Sequence, residues 1–164
     1  MAPAKQLAAF LAKFSPEVAA QARAALAVMR ARFRGALELV YDNYNALAIG
    51  WAPTERASDV ICSIAVFPRW VSVFFFDGPR LPDPKKILRG GGTKVRHLVL
   101  GGATTLDAPA VQALLREALK RRPLDPAQKH RIIIKSISAK QRPRRPAPSA
   151  VARARRPAKL ERIR

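Results

Sequence analysis

The chain has 164 residues, a single cysteine, and 31 Lys and Arg against 11 Asp and Glu, for a formal net charge of +20. That length gives room for one domain that buries its own core, and a lone thiol excludes an intrachain disulfide framework. The charge argues against a surface that concentrates cations and points to anionic partners. The longest apolar run, Trp70 to Phe76, falls well short of the roughly 20 residues that cross a bilayer. The N-terminal "QLAAFLAKF" is short and amphipathic, unlike a secretory leader. The expectation is a soluble, cytoplasmic protein that does not engage membranes.

In chain order, Leu7, Phe10, Leu11 and Phe14 recur at the spacing of one helical face, which predicts a short helix over Lys5–Phe14. Ser15, Pro16 and Glu17 read as a cap, a first-turn proline and a first-turn acid. They open a helix predicted to run to about Phe33, with Val18, Ala22, Ala25, Leu26, Met29 and Phe33 as its buried stripe. Arg23, Arg30 and Arg34 line up beside that stripe, as a solvated face or as phosphate contacts.

Gly35 ends the helix, and the period then changes. "ALELVYD", "ALAIGWAP", "DVICSIAVFP" and "WVSVFFFDG" read as strands, with a hairpin at Pro68 and Arg69 and antiparallel neighbours throughout. Asp83 and Pro84 predict one or two helical turns that stop at Gly90, "VRHLVL" a further strand, and Asp107 the cap of a third helix. That helix carries Val111, Leu114, Leu115, Ala118 and Leu119 on its buried stripe. The expected fold class is α+β: an antiparallel sheet of about five strands with helices packed mainly on one face.

Residues 1–122 form the expected domain. Residues 123–140, containing "HRIIIKSISAK", are an edge strand or a docked arm, and 141–164 are a disordered basic tail rich in Pro, Ala and Arg. Residues 123–164 hold 13 bases against 2 acids, net +11, so the last quarter of the chain carries over half the net charge.

The string "KKILRGGGTKVRH" contains three glycines near a lysine and a threonine. A phosphate-cradling loop needs Lys followed by Ser or Thr between a strand and a helix N-terminus. Here Thr93 precedes Lys94, and a strand follows, so the glycines read as a turn.

The strings "LELVYDNYNALAIGWAPTERASD", "FFFDGPRLPDPKKILRGGGTKVRHLVL" and "LDAPAVQALLREALKRR" carry a resemblance covering most of residues 15–122. Its most distinctive positions are Asp77, Gly78, Leu81, Asp83, Pro84, Leu88, Gly90, Gly92, Val95, Arg96 and His97. In these the chain resembles the YdhG-like family of domains of unknown function. The resemblance implies a small α+β fold without an established enzymatic activity, and a few members are described as frataxin-like intracellular iron chaperones.

Three functions compete for these residues. Iron handling would need converging oxygen or imidazole ligands, yet Glu38 and Asp42, or Glu55 and Asp59, stand about 13 Å apart along an extended chain. His97 and His130 are the only histidines, so no metal ligand set and no cofactor is assigned. An enzyme reading would use a polar site near Asp42. Tyr41, Asp42, Tyr44, Asn45, Arg69, Trp70 and Arg96 are the candidates for a ligand pocket, and Asx turns account for the same asparagines and aspartate. The third function is a non-enzymatic binding protein whose tail contacts nucleic acid or another polyanion non-specifically through Arg142, Arg144, Arg145, Arg153, Arg155, Arg156 and Lys159. A solubilising tail, or one that contacts acidic proteins, accounts for the same charge.

Overall fold

The structure, a computed structural model, describes residues 1–102 and 104–147. Helices α1 (Pro3–Ala12) and α2 (Pro16–Arg32) lead into strands β1 (Leu37–Asp42), β2 (Leu47–Ala52), β3 (Cys62–Val66) and β4 (Val71–Phe75). Strand β5 (Arg96–Val99), helix α3 (Pro109–Arg121) and strand β6 (Ile132–Ile137) complete the fold.

The apolar spacing read along α1 and α2 is what these helices bury. Leu7, Phe10 and Leu11 of α1, with Phe14 just beyond it, pack against Val18, Ala22, Ala25, Leu26 and Met29 of α2 and against the sheet. A ten-residue helix is marginal in isolation. Burying each large side chain contributes about 1.5–3 kcal/mol, so tertiary packing is what holds α1. Ser15 caps α2, its Oγ accepting from the Val18 amide at 3.3 Å, with Pro16 in the first turn.

All six strands lie in one sheet, ordered β5-β4-β3-β2-β1-β6. The five strands from β1 to β5 pair antiparallel with their sheet neighbours. The sequence-based expectation of about five antiparallel strands needs correction, because the sheet is mixed and six-stranded. β6 pairs parallel to β1, with a register shift between Val40 and Tyr41. The path of the chain explains this. α3 brings the chain back to the end of the sheet where β1 begins, with Arg121 donating to the Arg80 carbonyl. The following loop then runs along that end of the sheet, Gln128 donating to the carbonyls of Gly35 at 2.7 Å and Pro53 at 3.2 Å. β6 therefore enters beside the start of β1 and runs the same way.

The three helices share one hydrophobic core with alternate residues of β1–β5: Val40, Leu47, Ile49, Trp51, Cys62, Ile64, Val66, Val71, Val73, Phe75 and Leu98. The opposite face carries a smaller cluster of Leu37, Leu39, Ala52 and Val60, edged by Tyr41, Phe76 and Ile133.

Two expected helix starts differ. Residues 83–90 form turns rather than a helix: the Asp83 carboxylate accepts from the amides of Ile87 (3.0 Å) and Leu88 (2.9 Å), and Lys86 has φ of 50°. The side chain thus takes donors that a helix would direct to carbonyls. Asp107 does not cap α3. Pro109 holds Ala108 extended (φ −59°, ψ 136°), so the helix begins after it and Asp107 closes a separate 3-10 turn.

Residues 141–147 also correct the expectation of a disordered tail from residue 141. The Arg142 amide donates to the Tyr44 carbonyl at 2.9 Å, and Arg144 is only 5% exposed. This arm lies across the end of the sheet where the β1–β2 and β3–β4 turns meet.

Candidate nucleic-acid interface

β1 carries two carboxylates on its helix-facing side, Glu38 and Asp42, both fully buried. Each is matched separately. Arg30 reaches both oxygens of Glu38, Nε at 3.1 and 2.9 Å and Nη2 at 3.0 Å, and His130 Nε2 closes on the same carboxylate. Asp42 meets Lys13 Nζ at 3.2 Å and Arg144 Nη2 at 2.8 Å. Arg144 also donates to the Asn43 carbonyl at 2.5 Å and lays its guanidinium 5.6 Å from the centre of the Phe14 ring.

Asp42 is therefore an anchor for the arm and not an open catalytic group. The arm segment reinforces it with the Ser138 amide and Gln141 Nε2, which donate to the Asp42 carbonyl at 2.9 and 3.2 Å. Arg144 likewise needs correction as a polyanion contact, since its charge is buried against Asp42 and a phosphate cannot reach it.

The remaining pocket candidates separate into three places. Tyr41 lies on the helix-free face, its hydroxyl buried without a partner among the described residues, and desolvation raises its pKa above the ordinary value. Arg96 sits at the far end of the sheet, donating to the carbonyls of Gly92 and Val95. Asp42, Arg69 and Arg96 share no surface, so the polar site imagined around Asp42 is not assembled.

Tyr44, Asn45, Arg69 and Trp70 do come together. Asn45, Arg69 and Trp70 line an open depression of about 420 Å³ with Phe67, Pro68 and Arg142. Tyr44 stands next to it, with the Arg142 guanidinium 5.5 Å from its ring centre. Phe67 and Trp70 stack at 4.8 Å between ring centres, and the Phe67 amide donates to the Trp70 carbonyl at 2.9 Å, closing the hairpin. The stack holds the Trp70 ring at the surface, where Trp70 remains 41% and Tyr44 48% exposed. Arg69 and Arg142 are exposed around them, and Arg145, also exposed, donates to the Lys13 carbonyl at 3.3 Å. The nearby Asp42 carboxylate is buried and already paired, so it does not cancel their charge.

Phe67 and the docking of Arg142 were not foreseen. The signal available was indirect: an aspartate between apolar residues of a core strand needs a buried cation, and "RPRRP" supplies one. Arg153, Arg155, Arg156 and Lys159 lie outside the described residues. Among the described residues no three His, Cys, Asp or Glu side chains gather as a metal site. Cys62 is buried, and desolvation pushes its thiol pKa far up, the opposite of a reactive thiolate. No helix among the described residues is long and apolar enough to cross a membrane. Comparison with family models, with curated proteins and with solved structures returned no match.

Proposed function

We propose that this protein binds single-stranded nucleic acid without sequence preference, using the Tyr44, Phe67, Trp70, Arg69 and Arg142 surface as a stacking platform and its basic C-terminal segment as a phosphate contact. The observation that carries this reading is the meeting, in and beside one depression, of exposed aromatic rings with guanidiniums that have no carboxylate partner among the described residues. Bases of any identity stack on such rings, worth about 1–3 kcal/mol each, while arginines follow the backbone. A polyanion that offers charge alone would gain nothing from Trp70. The YdhG-like resemblance of residues 15–122 fits a small α+β binding domain, and the competing chemistry it implies is iron handling. A metal-chaperone role has no ligand cluster to favour it among the described residues.

Fluorescence anisotropy with a labelled single-stranded oligonucleotide tests the proposal. With about six phosphate contacts, affinity should fall roughly 1,000-fold between 50 and 200 mM salt. Trp70→Ala should weaken binding about 5- to 100-fold with the salt slope unchanged. Arg142→Ala should lower the slope by about one. Cutting the chain after Ala147 should flatten the slope further and retain the stacking contribution. Equal affinity of wild type and Trp70→Ala, with heparin binding as tightly as the oligonucleotide, would overturn the platform.

A further inference from the structure

At the opposite end of the sheet lies a second hollow, of about 580 Å³, lined by side chains from four separate segments. Its walls include Phe76 and Asp77 after β4, Arg80 in the next turn, Lys94 before β5, and Arg122 after α3. The volume falls within the range of small-molecule sites and exceeds that of the aromatic depression.

The charge of this hollow is specific. Three cations face one carboxylate, a net +2 among its lining residues. Arg122 Nε meets Asp77 at 3.4 Å and Arg122 Nη1 donates to the Ser58 carbonyl at 3.2 Å, so this cation is engaged. Arg80 and Lys94 have no carboxylate partner among the described residues. A phosphomonoester carries about −1.5 to −2 near neutral pH, which matches that surplus.

The loop that presents Lys94 is braced. The Gly78 amide donates to the Lys94 carbonyl at 3.2 Å. Gly78 packs so closely that an added Cβ would lie 2.4 Å from the Arg96 Cβ and 2.6 Å from its backbone nitrogen. Only glycine permits that approach, and it fixes Thr93 and Lys94 opposite Arg80. Arg96 ties the same loop back through the Gly92 carbonyl. Gly90 of "RGGGTK" has φ of 109°, which lets the chain turn toward β5, and Lys94 then lines the same hollow as Arg80.

The geometry points to a binding site for a nucleoside monophosphate, with Arg80 and Lys94 on the phosphate, the Asp77 carboxylate on the ribose hydroxyls, and the base against Phe76 and Pro79. Asp77 is about one-third exposed and meets Arg122 at 3.4 Å, so its carboxylate still reaches solvent, where it can accept from a diol. The site is separate from the aromatic platform and does not depend on it.

Calorimetric titration of the full chain with adenosine 5′-monophosphate at about 150 mM salt tests this. The expected result is saturable binding at one site. Adenosine and inorganic phosphate should each bind at least about tenfold more weakly, since each lacks one half of the contacts. Lys94→Ala and Arg80→Ala should each weaken the nucleotide about tenfold. Both cations are exposed, so these variants should fold, and an unchanged circular dichroism spectrum checks it. Absence of saturation at about 1 mM nucleotide would overturn the site. So would inorganic phosphate binding as tightly as the nucleotide, or loss of binding in Trp70→Ala with Lys94→Ala unchanged.

Discussion

Replacing Arg144 tests whether the docked arm belongs to the folded core. Asp42 is fully buried and has two cationic partners, of which Arg144 is the nearer and the more deeply buried. Removing one partner of a buried ion pair costs about 3–5 kcal/mol because a charge is left uncompensated. Two features lower this. Lys13 stays within 3.2 Å, and Arg144 buries its Nε and Nη1 without partners, a burden that its removal lifts. An unmet buried donor costs about 1–3 kcal/mol, so the expected loss for Arg144→Met is about 2–3 kcal/mol. Methionine keeps an apolar stem against the Phe14 ring and isolates the charge. For a chain of this size each kcal/mol moves the melting temperature by about 2–4 °C, so a fall of roughly 4–12 °C should follow. Urea unfolding followed by tryptophan fluorescence measures the free energy. Combining Arg144→Met with Asp42→Asn should cost less than the two single losses added together, by about 1 kcal/mol or more. A change under about 0.5 kcal/mol in Arg144→Met, or strict additivity, would show that the arm rests on the sheet without stabilising it.

Tyr41→Phe should stabilise the protein by up to about 1 kcal/mol in urea unfolding near neutral pH, because it removes a buried hydroxyl that has no partner. Desolvation raises the folded-state pKa of Tyr41 above that of the unfolded chain. Unfolding therefore releases a proton above about pH 10, stability falls as pH rises through that region, and Tyr41→Phe should lose this share of the decline. Cys62 is buried, with its thiol held protonated by desolvation. Its reaction with a thiol reagent at neutral pH should be slow in buffer and fast in denaturing urea; rapid labelling of the native protein would contradict its place between β2 and β4. Gly78→Ala should destabilise by about 1–3 kcal/mol, read from the urea midpoint, because its Cβ would overlap the Arg96 backbone. An unchanged midpoint would mean that the Lys94 loop is not braced there.

Much of the fold was legible because local chemistry and burial agree along this chain. The stripes Leu7–Phe14, Val18–Phe33 and Val111–Ala118 are the buried faces of the three helices, and each β-like run became a strand. The Ser15–Pro16 start held because the cap side chain and the first-turn proline act within one turn. Asp83 and Asp107 misled for a related reason: nearby prolines and side-chain bonds competed with helix formation within a few residues. Of the site, Tyr44, Asn45, Arg69 and Trp70 were visible as polar and aromatic turn residues, but nothing local joins them. Their meeting depends on β1 through β4 placing two turns at one end of the sheet.

Sequence alone determined the buried stripes of α1, α2 and α3, the strand runs, the lone cysteine and the basic imbalance, since these follow from periodicity and counting. Tertiary structure decided which charges are spent and which remain free. Arg142, Arg144 and Arg145 are nearly contiguous in one basic run, yet Arg144 is buried on Asp42, while Arg142 sits over Tyr44 and Arg145 stays exposed. The reason is that the cost of a buried carboxylate is met only by a cation brought to it in space, about a hundred residues along the chain. The same holds at the other end, where Arg80, Lys94 and Arg122 share a hollow only because β4 and α3 end there and β5 begins there.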